Sequence, residues 1–315
     1  MSQHEAATRM KDRSSQGVLF LEWLQRGRSP SILIRSPAKV NLRLEVLARR
    51  PDGYHDIRSV MVPVGLFDLL HIVLTEKEGI HLSCSQQDLP VDERNLAFRA
   101  GLLMLEAAGK RQGVEIRIEK RIPVAAGLGG GSSNAAATLV GLNRLLKTNL
   151  SRVDLMAMAG ELGADVPFFV FGRPALATGI GGDLEQLTRL PRLWFLLVYP
   201  GISISTKWAY EKLNFRLTKR GDHINMPTFF WDIGNLAGLL RNDLERAVLQ
   251  EYPVLEGIKK SLLRAGAVGA LMSGSGSTVY GLFLAKEKAK DAYGELKEEF
   301  GKRDWEIFLT QNIGS

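Results

Sequence analysis

Pro123-Val124-Ala125-Ala126-Gly127-Leu128-Gly129-Gly130-Gly131-Ser132-Ser133-Asn134-Ala135-Ala136-Ala137 is the stretch on which the fold turns. Four of the five positions from Gly127 to Gly131 are glycine, which lifts the Cβ barrier to positive φ and lets a ligand approach the backbone. The alanine-rich run that follows predicts a helix over about residues 133–146. Its first turn would turn unpaired N–H groups and the positive end of the helix dipole toward a phosphate. Ser132 and Ser133 are placed to cap that helix, and one hydroxyl can face a magnesium ion. No lysine follows the glycines before Lys147, so the loop is not of the Gly-Lys-Ser/Thr type. A dinucleotide fingerprint fails too, because Ser132 or Asn134 stands where its third glycine belongs. The stretch reads as a phosphate-binding turn of another design.

Upstream of it, residues 31–36 and 40–46 alternate apolar and polar side chains, the signature of half-buried strands, and Arg50-Pro51-Asp52-Gly53 is turn chemistry. Residues 60–64, 70–74 and 114–118 read as further strands, and Leu96 to Ala108 as a helix with Leu96, Ala100, Leu103 and Ala107 on one face. Downstream, a helix through Val153 to Leu162 is followed by a buried strand at Trp194 to Tyr199. Residues 236–264 are helical by pattern, residues 278–284 a strand, Lys286 to Phe300 a surface helix, and a last strand lies near residues 305–309. The class is α+β with two domains, divided near residue 190, after a mobile extension or short amphipathic helix over residues 1–30.

Composition narrows the function classes. The chain has 315 residues, 45% of them apolar and 24% charged, as in ordinary globular proteins. Its one cysteine, Cys84, excludes an intrachain disulfide framework and any Cys-based zinc site, and suits a reducing cytoplasm. The formal charge is +7, but residues 1–50 hold ten Lys/Arg against four acids, so the rest is near neutral. A nucleic-acid-binding domain would spread its basic face along its length. No segment is apolar over the roughly 20 residues of a membrane span. An anionic small molecule is the expected partner, with no nucleic acid, membrane or protein partner implied.

The glycine-rich loop resembles the nucleotide loop of the galactokinase, homoserine, mevalonate and phosphomevalonate (GHMP) kinases. That family's third glycine-rich segment has its likeness in Met272-Ser273-Gly274-Ser275-Gly276-Ser277. The resemblance implies an N-terminal ribosomal-protein-S5-like domain (31–189) that binds ATP and carries catalysis, and a C-terminal α/β sandwich domain (190–315). Within the family, further strings are similar to the branch that phosphorylates the 2-hydroxyl of a cytidine-diphosphate-linked methylerythritol. These are Ser36-Pro37-Ala38-Lys39-Val40-Asn41-Leu42, Pro51-Asp52-Gly53-Tyr54-His55, Leu162-Gly163-Ala164-Asp165-Val166-Pro167 and Asn242-Asp243-Leu244-Glu245.

The resemblance implies Asp165 as general base with Lys39 beside it, and Mg2+-ATP along Pro123, Val124, Ala125, Ala126, Gly127, Leu128, Gly129, Gly130, Gly131, Ser132 and Ser133, with Ser133 toward the metal. A carboxylate can accept the hydroxyl proton, and an ammonium can hold it ionised and offset charge on the phosphoryl oxygens. Tyr54 and Tyr210 would stack on the cytosine ring and His55 would read its edge, while Asn41, Thr206, Ser273, Gly274 and Ser275 complete the substrate contacts. Without the resemblance, Asp165 reads equally as a turn or helix cap, Lys39 as a surface strand lysine and Tyr210 as helix core. Gly179-Ile180-Gly181-Gly182-Asp183 departs from the family's Gly-x-Gly-Glu by an extra glycine and a shorter acid, which weakens any role assigned to an acid there.

Overall fold

Two long strands, β3 (Ser29–Arg49) and β4 (His55–Thr75), carry the architecture, and each contributes one stretch to each of two compact units. The structure is a computed structural model that describes residues 9–10, 19–26, 29–188, 190–213 and 236–314. One unit gathers residues up to 37, 67–122 and 130–172; the other gathers 38–66, 123–129 and 173–315.

In the first unit, β1 (Arg9–Met10) pairs with β2 (Phe20–Arg26), which pairs antiparallel with β3. The sheet continues through β4 and β6 (Gly113–Glu119) to β5 (Gly79–Cys84). Strands β5 and β6 are parallel and are joined through α1 (Leu96–Ala108), as a parallel pair requires. The Asn95 side chain accepts from Ala97 N to start α1, and Gly109 ends it at φ 59°. Its buried face is Ala97, Ala100, Gly101 and Met104, one position off the expected stripe. Small residues line that face: a Cβ at Gly101 would meet Ile80 Cδ1 at 2.8 Å, so a larger residue there would make the Ile80 side chain shift.

Helix α2 (Gly130–Leu145) is buried on nearly every side, packed by α1, α3 (Arg152–Leu162) and α4 (Val166–Phe171). At Gly141 a Cβ would lie 2.6 Å from Ile34 Cδ1 and 2.9 Å from Ile72 Cδ1, which seats α2 on the sheet. The helix begins earlier than expected, so Ser132 and Ser133 lie within its first turn instead of capping it. Phe20–Arg26, expected as mobile extension or helix, is a strand, because the edge of β3 offers unpaired backbone groups. Residues 1–8, 11–18 and 27–28 of that extension lie outside the described residues.

The second unit holds the hairpin β7 (Ala175–Thr178) and β8 (Asp183–Gln186), with β7 antiparallel to β4. The turn between them uses Gly179 and Gly181 at φ 63° and 111°, so the departing glycine-rich segment is a hairpin turn. A separate antiparallel sheet runs β11 (Gly269–Met272), β12 (Val279–Phe283), β9 (Trp194–Tyr199), β13 (Glu306–Gln311). Helix α5 (Thr206–Glu211) follows β9. The expected helix over 236–264 is broken into α6 (Leu236–Leu239), β10 (Arg241–Asn242), α7 (Glu245–Glu251) and α8 (Val254–Arg264). The break has a tertiary cause: β10 pairs parallel with β3, Arg241 opposite Arg43 and Asn242 opposite Leu44. Helix α9 (Lys286–Phe300) closes the unit, its Ala289, Ala292, Leu296 and Phe300 buried in one core with Leu196 and Leu262.

Candidate active site

Residues 38–46 of β3 are buried on both faces, not one. Ala38, Val40, Leu42 and Leu44 fill one side, while Lys39, Asn41, Arg43 and Glu45, each 3–4% exposed, line the other. Buried polar groups of this kind call for partners, and all four side chains have them, although Arg43 Nε itself meets none among the described residues. Lys39 Nζ donates to Asn41 Oδ1 at 2.6 Å, and Asn41 Nδ2 donates to Ser59 Oγ at 2.7 Å. Buried Tyr280 donates its hydroxyl to Asn41 O at 2.9 Å, and burial holds that phenol well above its ordinary pKa. Farther along, Arg43 and Arg58 both donate to Glu45, at 2.6 and 2.7 Å, and Arg241 stands 3.6 Å from it. Burial pushes the Glu45 carboxyl up, but the hydrogen bonds and charges of Arg43 and Arg58 outweigh it and hold the group below its ordinary value.

The front of the glycine loop belongs to the same unit. Lys39 N donates to Leu128 O at 2.9 Å, and Thr278 N donates to Ala126 O at 3.2 Å. Ser273 Oγ donates to Gly127 O at 3.0 Å. Ala125, Gly127 and Gly129 take positive φ of 50°, 75° and 71°. A Cβ on Gly127 would stand 2.0 Å from Ser273 O, and one on Gly274 would stand 3.1 Å from Gly127 O. Here the two glycine-rich segments need glycine to pack on each other. The Asn242-Asp243-Leu244-Glu245 string explains how the second is held. Asn242 Nδ2 donates to Met272 O at 2.8 Å and to Gly274 O at 2.7 Å, and Glu245 Oε1 accepts from Met272 N at 2.9 Å.

Of the other expected substrate residues, Thr206 and Ser275 meet through their hydroxyls at 3.0 Å. His55 and Tyr210 are stacked, with ring centres 4.8 Å apart and planes 24° from parallel. Burial and then the Arg49 charge lower the His55 pKa, favouring its neutral ring. Tyr54 is 58% exposed at the end of a turn in which Asp52 accepts from its N–H at 3.0 Å.

In the first unit, Ser133 is fully buried and its Oγ accepts from Ser36 Oγ at 2.6 Å, whereas Ser132 is half-buried. Asn134 Oδ1 is a buried acceptor without a hydrogen-bond partner among the described residues. Gly131 is exposed, and a Cβ there would meet nothing within 4 Å, so the backbone at the start of α2 is open to a ligand. Asp165 sits half-buried at the start of α4 and its side chain makes no capping bond to that helix. Asp165 thus stands at the N-cap position of α4 without serving that helix as a side-chain cap.

Asp68 and Lys120 escaped the sequence reading. Asp68, fully buried, pairs with Lys120 Nζ and accepts from Arg121 N at 2.8 Å and Ile122 N at 2.9 Å. A Cβ on Gly130 would stand 3.0 Å from Lys120 Nζ. The lysine that spacing lacked after the glycines is thus brought back to the start of α2 from before them. The nearby signal was Lys120 itself, three residues ahead of Pro123, but its partner Asp68 lies 52 positions away. Among the described residues no cluster of three His, Cys, Asp or Glu is arranged to hold a metal, and no helix is long and apolar enough to cross a membrane.

Residues 95–173 match the model of the GHMP kinases N terminal domain and residues 231–302 that of the GHMP kinases C terminal. The chain is 48% identical over 283 residues to a 4-diphosphocytidyl-2-C-methyl-D-erythritol kinase of Geobacter metallireducens, covering 90% of this chain and 99% of that one. A kinase of the same name from Pelobacter propionicus is 47% identical over 271 residues, covering 86% and 96%. A crystal structure of 4-(cytidine 5'-diphospho)-2C-methyl-D-erythritol kinase superposes with a TM-score of 0.76 at 36% identity, covering 90% of this chain and 100% of that one. A homoserine kinase from Cytophaga hutchinsonii shares the fold with a TM-score of 0.68 at 23% identity, covering 92% and 96%.

Proposed function

The chain belongs to the 4-diphosphocytidyl-2-C-methyl-D-erythritol kinases of the GHMP kinase family, and from that membership we propose that it phosphorylates the 2-hydroxyl of 4-diphosphocytidyl-2-C-methyl-D-erythritol with ATP. The reaction is a step of the non-mevalonate route to isoprenoid precursors. The observation that carries the reading is the hydrogen bond from Lys39 N to Leu128 O, which ties the strand of the expected reactive lysine to the nucleotide loop within one unit.

ATP supplies the γ-phosphoryl group and leaves as ADP. The loop from Pro123 to Gly129 takes the left-handed region at Ala125, Gly127 and Gly129, and the open start of α2 at Gly131 and Ser132 offers N–H groups to phosphate oxygens. Asp165 accepts the proton of the substrate hydroxyl as its oxygen bonds phosphorus. The Lys39 ammonium offsets the charge that grows on the transferring group. Tyr210, His55 and Tyr54 take the cytosine ring, which requires the His55–Tyr210 stack to open. Asn41, Thr206, Ser273, Gly274 and Ser275 hold the remainder of the substrate.

Magnesium belongs to this proposal as the counter-ion of ATP. The half-buried Ser132 hydroxyl suits it better than Ser133, whose oxygen is buried and bonded to Ser36. A domain boundary near residue 190 is kept in the proposal, since the two family models match on either side of it. So is a cytoplasmic location, which a lone cysteine suits.

Phosphorus NMR of the protein with Mg2+-ATP and 4-diphosphocytidyl-2-C-methyl-D-erythritol tests the reading. A new phosphomonoester resonance appearing with ADP is expected. Silence there with turnover of homoserine or mevalonate would keep the family and overturn the substrate.

A further inference from the structure

Ser59 is fully buried on β4, opposite Ala177 of β7, and no established chemistry calls for a hydroxyl there. Its Oγ donates to Arg43 O at 2.8 Å. With its single proton committed, the oxygen acts only as acceptor toward Asn41, so the amide must turn its NH2 to Ser59. The amide oxygen is then forced the other way, toward Lys39 Nζ at 2.6 Å, and an ammonium can only donate. The two ends of the chain agree. Lys39 donates to Asn41, Asn41 to Ser59 and Ser59 to a backbone carbonyl, and each step admits one orientation. Tyr280 pins the Asn41 backbone from below.

We propose that Ser59 is a positioning residue for phosphoryl transfer, setting the Asn41 amide so that its oxygen holds the Lys39 ammonium in place. The proposal rests on the role given to Lys39 above. A buried alcohol is otherwise a costly choice beside Val60 and Met61, both buried, where an alanine would leave no polar group to satisfy. Losing the hydroxyl leaves Asn41 Nδ2 without that acceptor and frees the amide to rotate away from Lys39. Charge placement at the barrier suffers, while the nucleotide loop keeps its own hydrogen bonds to Lys39 N and Ser273.

The test is a double-mutant cycle on the intact chain, with ATP and 4-diphosphocytidyl-2-C-methyl-D-erythritol as substrates. Ser59→Ala should lower kcat about tenfold, the loss of roughly one hydrogen bond at the barrier, with KM for ATP unchanged. Ser59→Cys leaves no cavity, replaces the hydroxyl by a weakly hydrogen-bonding thiol, and should behave alike if the alanine variant fails to fold. The double variant Ser59→Ala/Asn41→Ala should be no slower than Asn41→Ala alone, because Ser59 acts through that amide. Folded Ser59→Ala and Ser59→Cys at full kcat, or losses that multiply in the double variant, would overturn the proposal. Lys39→Ala is read beside them. Retained turnover there would remove the role of Lys39, and with it the proposal, whatever the cycle shows.

Discussion

Asp165 and Lys39 illustrate how much a residue's role depends on what its neighbours already do. Asp165 begins α4 without capping it, and Lys39, an exposed strand lysine by pattern, is 4% exposed and bonded to Asn41. Neither is explained by its own secondary structure. For Asp165→Asn we expect turnover to drop by about 10²- to 10⁴-fold, the usual worth of a general base, with nucleotide affinity kept. Single-turnover kinetics beside calorimetric titration with ATP checks both halves, and turnover near wild type would remove the base assignment. The roles proposed for Lys39 and Asp165 rest on the family likeness, since a lone lysine on a strand and an aspartate before Val-Pro carry no chemistry of their own.

The glycine-rich loop shows at the scale of an element that glycines in one run answer to different demands. Gly127 is required by the fold: its φ is positive and a Cβ would run into the backbone of Ser273. Gly131 meets nothing and lies in the first turn of α2. Gly127→Ala should therefore destabilise the protein by roughly 2 kcal/mol or more. Gly131→Ala should leave stability within about 0.5 kcal/mol and raise KM for ATP, because only a bound phosphate would notice the methyl. Urea unfolding with steady-state kinetics separates the two; equal losses of stability would show that Gly131 too is structural. The loop and its helix were plain in the sequence because glycine and alanine act locally. The start of α2, three residues early, was not, because glycines at the first turn fit a helix as readily as a loop and it is the close approach of Lys120 and Ile122 to Gly130 that marks where it begins.

Over the whole molecule, charge divides between surface and interior in a way composition conceals. Residues 1–50 carry most of the basic surplus, yet Lys39 and Arg43 are buried and serve internal networks. Glu45 gathers Arg43, Arg58 and Arg241, joining β3, β4 and β10 across nearly 200 positions. A carboxyl whose folded pKa lies below its ordinary 4.5 contributes stability fully above pH 4.5 and loses it as pH falls through the folded value. Glu45→Gln should accordingly be less stable at neutral pH and show a flatter fall of stability below pH 4.5. Unfolding by urea across that range reads the slope, and a variant with the wild-type slope would assign the acid sensitivity elsewhere.

The sequence by itself determined the glycine-rich turn and the helix after it, the helices over 96–108 and 286–300, the strand over 194–199 and the likeness to one kinase family. Each depends on near neighbours along the chain, where propensity, periodicity and spacing act. Only the tertiary structure decided that the polar face of β3 is buried, that residues 236–264 break to pair with it, and that Lys120 comes to the start of α2 by way of Asp68. It also decided that Asn242 holds the second glycine-rich turn and that Ser59 orients Asn41. Those arrangements join groups far apart in sequence, where a polar side chain looks like any solvated one until the fold removes water and leaves it to find a partner.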